Sequence, residues 1–228
     1  MGWIEFALAM GLFLVSHRIP AALGLKEHLI RRLGARGYLF LFSLGSVLLL
    51  WWVIVAAGRA PSVALWDQTP AARLAVNLAM PVVVLLTVFG VAAPNPFAFE
   101  GRPDGFDPQA PGIAGLTRQP LLWALLLWSS AHLWVNGDLA HVFLFGSFAV
   151  FSLLGMKIVE RRRARQAGPA EWARLSAHTG LLPGAALLSG RWRPGLAKGG
   201  IVRFTVALAA YAALYHSHEI VIGASPAP

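Results

Sequence analysis

The chain contains no cysteine. Disulfides, thiolate metal sites and thiol catalysis are removed together, leaving histidine, carboxylate or backbone to carry any chemistry. Charge is scarce as well: 13% of the residues are charged, against about 25% in an ordinary soluble domain. No internal repeat is visible, and the one break in composition is the basic stretch 157–203. A secretory signal pairs a basic start with a short apolar core and a small-residue cleavage site. This N-terminus opens Gly2, Trp3, Ile4, Glu5, so its apolar segment reads as a retained helix. What fills the chain instead is hydrocarbon, with 57% hydrophobic residues and a mean hydropathy of +0.63. These values predict an all-α polytopic membrane bundle, residues 1–228 forming a single integral membrane domain.

Crossing a bilayer takes about 20 apolar residues, and six segments approach that length: 2–17, 38–57, 74–93, 121–135, 139–159 and 201–215. The cations fall between them unevenly. Segment 18–37 holds Arg18, Lys26, Arg31, Arg32 and Arg36; segment 157–203 holds Lys157, Arg161, Arg162, Arg163, Arg165, Arg174, Arg191, Arg193 and Lys198. Six spans put both of these loops on one side, and the positive-inside rule makes that side cytoplasmic, with both termini on the other. Much of the net charge of +9 is this asymmetry plus attraction to anionic lipid. Lipid is therefore the expected partner, and nucleic acid is not.

Between the fourth and fifth segments lies "WSSAHLWVNGDLAH", polar residues set in hydrocarbon. Asn136, Gly137 and Asp138 read as a tight helical hairpin, Gly137 supplying positive φ and Asp138 capping the next helix through its carboxylate. His132 and His141 lie symmetrically about this turn, roughly one helical turn inside it. Ser129, His132 and Asn136 follow i, i+3, i+7 and share one helix face, which should meet protein and not lipid. Ionisable residues within spans are functional candidates by default. For His132 packing and function weigh evenly, while His141 leans to packing.

Elsewhere the plainer reading dominates. His17 closes the first span beside Arg18 and Pro20, a comfortable interfacial position. His28 and His178 lie in basic loops. His216 and His218 end the last span in "HSH", a weak metal pattern without a supporting ligand framework. Glu5 sits near enough to a helix end to reach the interface. The tryptophans suit interfacial belts, although Trp128 and Trp134 also flank His132. The Pro- and Gly-rich segment "NPFAFEGRPDGFDPQAPGIAGLTRQP" reads as an irregular surface loop. It ends where Pro120 opens a helix and Arg118 is placed to meet an anion.

Four blocks carry a resemblance: "SHRIPAALGLKEHLIRRLGARGYLFLFSLGSVLLLWWV", "PGIAGLTRQP", "LWSSAHLWVNGDLAHVFLFGSFAVFSLLGMKIVERRR" and "HTGLLPGAALLSGRWRP". Together they resemble the NnrU-like family of bacterial membrane proteins over nearly the whole chain. That family is similar to plastid 15-cis-zeta-carotene isomerase, a membrane haem b protein whose iron is carried by two histidines. The isomerase's ligand blocks map onto His17 and His132, with Ser129 standing where the isomerase has a cysteine. The resemblance implies haem b held by His17 and His132, with Ser129 and Asn136 orienting the rings. Counting about 1.5 Å per residue, the two histidines lie at different depths, so His141, level with His132, is the alternative partner. The family association further implies a bacterial inner-membrane location and a role in denitrification or nitric oxide reductase activity. Redox, nitrogen-oxide or isomerase-like chemistry on a small hydrophobic or nitrogen-oxide molecule would follow.

A second resemblance points to a different class. "LTRQP" together with "VERRRARQAGPAEWARLSAHTGLLP" looks like the signatures of isoprenylcysteine carboxyl methyltransferases and membrane thiol methyltransferases. There an arginine and a histidine hold the S-adenosylmethionine carboxylate beside an anchoring acid. Arg118 and Glu160 keep two of those positions, Gln119 replaces the histidine, and Trp172 falls in a tyrosine region. The resemblance implies that Arg118, Gln119 and Glu160 border one cytoplasmic-side cofactor pocket.

Overall fold

A computed structural model describes residues 2–98, 101–195 and 199–227, the side chains of residues 18–22 and 92 excepted. The side chain of Arg18 and the whole of Lys198, two cations of the basic segments, thus lie outside the described residues. Nine helices are found among the described residues: α1 Gly2–Ala22, α2 Leu25–Arg59, α3 Pro70–Ala92, α4 Ile113–Leu116, α5 Pro120–Val135, α6 Leu139–Ala167, α7 Pro169–Ser176, α8 Ala185–Leu188 and α9 Gly200–Ile222. The six long ones correspond to the six apolar segments. Helices α2, α3 and α6 are long and apolar enough to cross a membrane, and α1 and α5 contain shorter apolar stretches. The fold is an all-α helical membrane type.

Residue contacts divide the chain into two compact units, Met1–Asp67 with Asn136–Phe145, and Gln68–Val135 with Gly146–Pro228. In the first unit α1 packs on α2. Phe6 and Ala9 of α1 and Val53, Ala56 and Ala57 of α2 are buried. The approach is close enough that a Cβ on Gly2 would lie 2.4 Å from the Arg59 carbonyl oxygen. Glu5 accepts from Trp52 Nε1 at 3.3 Å and pairs with Arg59, in the last turn of α2, at 3.4 Å.

Residues 18–37 are not a loop. Helix α1 runs on to Ala22, and α2 begins at Leu25 after a turn through Gly24 (φ 64°). The stretch is rich in Leu, Ala, Lys and Arg, which favour helix wherever they stand, so loss of hydropathy marks the end of the apolar run and not the end of the helix. Gly34 (φ 71°, ψ 161°) alone departs from helical geometry inside α2, in a region essentially reserved for glycine. The second basic segment is likewise helical in part, in the end of α6, in α7 and in α8.

The turn before α6 corrects one expectation and fulfils another. Gly137 is not among the positive-φ glycines; it is required by proximity. Its carbonyl accepts from Leu65 N at 2.7 Å and Trp66 N at 3.1 Å, and a Cβ there would fall 1.9 Å from the Trp66 carbonyl oxygen. Asp138 caps α6, its Oδ1 accepting from Ala140 N and His141 N at 3.1 and 3.2 Å.

In the second unit α3 packs on α5 and α9. Val83, Leu86 and Ala124 form a buried cluster with Met80, Trp123, Leu127 and Trp128 against it. Thr69 caps α3 through Ala72 N, with Pro70 in the first turn. The segment between α3 and α5 is more deeply packed than a surface loop, since Asn95, Phe97, Thr117 and Gln119 are all buried.

Candidate functional site

A dense set of hydrogen bonds in the second unit forms around the residues just before α5. Pro120 opens that helix and disfavours helical geometry at the residue preceding it. The chain arrives extended, with Thr117 at φ −155°, ψ 139°. Extended backbone needs partners, and residues 180–184 supply them. Arg118 N donates to the Gly180 carbonyl at 2.8 Å and Gly184 N to the Leu116 carbonyl at 2.9 Å. Leu181 O accepts from Thr117 Oγ1 at 2.8 Å and Trp123 Nε1 at 2.9 Å. From the other side Asn95 Nδ2 donates to the Arg118 carbonyl at 3.0 Å, and Asn95 Oδ1 accepts from Phe97 N at 3.0 Å.

This frame fixes the Arg118 side chain. Its Nη1 donates to Thr179 Oγ1 at 3.1 Å and its Nη2 to Glu160 Oε1. The guanidinium carbon lies 5.7 Å from the Phe97 ring centroid and 5.5 Å from that of Trp172, within cation–π range. The two rings meet edge to face at 5.4 Å. The Arg118 and Glu160 side chains are only 14% and 17% exposed. A forked, bidentate pair would satisfy two donors and both carboxylate oxygens. Here the pair is made through one oxygen, and Arg118 Nε and Glu160 Oε2 are buried without a hydrogen-bond partner. Leaving such a group dry costs about 1–3 kcal/mol or more. The buried side chains around it contrast with this, because Asn95, Thr117, Gln119 and Thr179 all make hydrogen bonds.

A cavity of about 200 Å³ adjoins the two rings, lined by Phe97 and Trp172 with Pro96, Gly101, Pro103, Arg163, Gln166, Ala167 and Leu175. Arg118, which packs on both rings, and Glu160 are not among the residues that line it. Gln119 does not join them: its amide nitrogen donates to the Phe97 carbonyl at 2.9 Å, and the residue is buried. Arg118 and Glu160, 42 positions apart, are thus in direct contact. Thr179, Phe97 and Asn95 complete the site without having been singled out in the sequence. Asn95 had a visible signal, a polar residue held between two prolines in "APNPF", whereas Thr179 had none.

The histidines are distributed over both units. His132 lies on α5 in the second unit, its Nδ1 donating to the Trp128 carbonyl at 2.8 Å and its ring 5.3 Å from that of Trp128, which meets Phe148 at 5.8 Å. Ser129 is buried with its hydroxyl turned back to the Leu125 and Leu126 carbonyls of its own helix. Asn136 follows the end of α5 and belongs to the first unit. His17, exposed on α1 in the first unit, donates from Nδ1 to the Phe13 carbonyl at 2.7 Å and packs against Phe13 and Phe42. His141, also in the first unit, pairs its Nδ1 with Asp138 Oδ2 at 2.5 Å. His216 and His218 fall within α9, and His218 Nδ1 lies 2.7 Å from the Ala224 carbonyl oxygen. Among the described residues no three histidine or carboxylate side chains converge as a metal cluster would require.

No curated protein and no solved structure matches the chain. The family profile described as NnrU protein, however, matches residues 5–226, a span that includes the Arg118–Glu160 region and every histidine named above, and the chain belongs to the NnrU protein family.

Proposed function

We propose that this NnrU-family membrane protein binds the amino-acid end of a small cofactor at Arg118 and Glu160, in the manner of S-adenosylmethionine-dependent membrane methyltransferases. One observation carries the reading: the pair is mostly shielded from solvent and leaves one buried N–H donor and one buried carboxylate oxygen unsatisfied on adjacent side chains. An α-amino acid presents the complementary set, a carboxylate for Arg118 Nε and an ammonium for Glu160 Oε2. The chain's own residues would hold that end in place. Thr179 and Glu160 orient the guanidinium, and Phe97 and Trp172 cover it and keep water from the charges. Gln119, bonded to Phe97, contributes no second donor. The adjoining cavity is smaller than the roughly 300–1,000 Å³ of whole-ligand pockets, and so suits part of such a molecule. The cofactor, when bound, supplies an electrophilic methyl group.

Isothermal titration of the purified protein with S-adenosylmethionine tests this. Saturable binding is expected, lost in Arg118→Ala and Glu160→Gln and kept in Arg174→Ala on the exposed face of α7. Absence of binding to the unaltered protein overturns the reading.

A second reading, haem b, is supported by the tautomers of the two histidines that the resemblance to the isomerase picks out. Carbonyl oxygens only accept, so His17 and His132 both carry the proton on Nδ1. The lone pair of the neutral ring is then on Nε2, as an axial ligand requires. His141 is the alternative second ligand. Redox or nitrogen-oxide chemistry tied to denitrification, or isomerase-like chemistry, would follow from a bound haem. The visible spectrum separates the two readings, because a Soret band that is lost or altered in His132→Ala and retained in His28→Ala favours haem, whereas a colourless protein discards it.

A further inference from the structure

We propose that residues 181–193 dock on the surface of an anionic lipid leaflet, Leu182, Leu187 and Leu188 entering the interface and Arg191 and Arg193 meeting the headgroups. The segment is exposed by construction. Its inner side is fixed to the second unit through Leu181 O, Gly184 N and the buried Ala186. Trp192 is held beside Gly115, where an added Cβ would lie 2.3 Å from the indole. With that side anchored, the opposite side presents Leu182, Leu187 and Leu188 at 62%, 42% and 89% exposure. Anchored apolar side chains need a cover.

Charge identifies the cover. No acidic residue occurs between Glu171 and Glu219, a stretch that contains Arg174, Arg191, Arg193, Lys198 and Arg203. Among the described residues neither Arg191 nor Arg193 has a carboxylate within ion-pair distance. Arg191 donates only to neutral oxygens, Ser189 Oγ and the Ala177 carbonyl, and so keeps its charge uncompensated; an apolar tip flanked by such arginines is the composition of an interfacial membrane anchor. Chain length agrees, because Arg193 and Gly200 are seven residues apart in the sequence and so at most about 25 Å apart, which keeps the segment near the start of the apolar helix α9 at Gly200. A lipid leaflet therefore fits better than a protein partner, whose surface would have to supply carboxylates opposite both arginines. The inference does not depend on what Arg118 and Glu160 bind.

The absence of cysteine makes the experiment direct. Leu188→Cys and, as a water-exposed control, Ala173→Cys are introduced into the full chain, labelled with a polarity-sensitive fluorophore and reconstituted in vesicles. One set of vesicles is pure phosphatidylcholine and the other contains phosphatidylglycerol. The label at position 188 should emit at shorter wavelength, be quenched by shallow nitroxide lipids, and be several-fold less accessible to iodide than the label at 173. Adding Arg191→Gln and Arg193→Gln should remove the extra protection found in the anionic vesicles. The proposal is overturned if positions 188 and 173 are equally open to iodide in anionic vesicles. It is also overturned if protection at 188 rises with protein density and ignores lipid charge, which would assign the face to a second copy of the chain.

Discussion

Arg118→Met and Glu160→Gln, alone and combined, measure what the buried pair contributes to the protein. Each single change leaves one charge facing a neutral partner in a region where the two side chains are 14% and 17% exposed. Breaking a buried pair from one side costs about 3–5 kcal/mol. Residual exposure places this pair at the lower end, about 3 kcal/mol for Glu160→Gln. Arg118→Met also loses the bond to Thr179 and two ring contacts, adding about 1 kcal/mol. The double variant removes both charges, so its cost should fall short of the sum of the singles by about 1.5–3 kcal/mol. Reversible unfolding by sodium dodecyl sulfate in mild-detergent micelles, followed by tryptophan fluorescence, gives all three values. Additive costs, or single-variant costs below about 1 kcal/mol, would show a solvated pair with no coupling and refute the argument from burial.

Three further changes test other parts of the fold. Gly137→Ala places a methyl group against the Trp66 backbone, which cannot swing aside as a side chain does; a loss of about 3 kcal/mol is expected in the same unfolding assay, and a neutral result would contradict the close approach. Glu171→Gln should leave the melting temperature unchanged at any pH. The hydrogen bond from Arg174 holds the Glu171 carboxyl below its usual value, so its contribution is present above the ordinary carboxylate range and lost as pH falls through the lowered value. At 45% exposure it is screened, and an acid-dependent difference between variant and parent would reverse that conclusion. With all six long helices spanning and the two cationic segments inside, a C-terminal reporter active only outside the cytoplasm should be functional in cells; one active only inside would invert the topology.

The long helices were legible because extended apolar runs have few alternatives, and all six segments appear as helices, of which α2, α3 and α6 are long and apolar enough to cross a membrane. Their ends were not legible. The helical backbone runs through Lys26 to Arg36 and through Lys157 to Arg165 without regard to the change from lipid-like to water-like side chains that marks a boundary in hydropathy. Asp138 was readable as a cap because capping is local, within three residues. Gly137 was read correctly as a necessary glycine and for the wrong reason, since the Trp66 backbone that demands it comes from a segment 71 positions away. The Arg118–Glu160 contact was accessible only through resemblance, and Thr179 and Phe97 not at all, because their roles arise from where separate segments cross. The polar stripe of Ser129, His132 and Asn136 illustrates the same limit: spacing placed them on one ideal helix, whereas the helix stops at Val135 and Ser129 bonds to its own backbone.

Gly34 divides α2 into parts that need not melt together. At about 1.5 Å per residue the 35 residues of α2 would extend about 52 Å, well beyond the hydrocarbon thickness of about 30 Å. This non-helical residue kinks α2 nine residues from the start, and the leading portion, Leu25–Leu33, carries Lys26, Arg31 and Arg32 while the trailing portion holds the buried Val53, Ala56 and Ala57. A nine-residue helix is below the length that sustains itself in water, so the leading portion opens and closes on its own. Its amide protons should exchange with solvent orders of magnitude sooner than those of residues 50–57, which makes Gly34 the boundary between a fast, local opening and the global unfolding of the first unit.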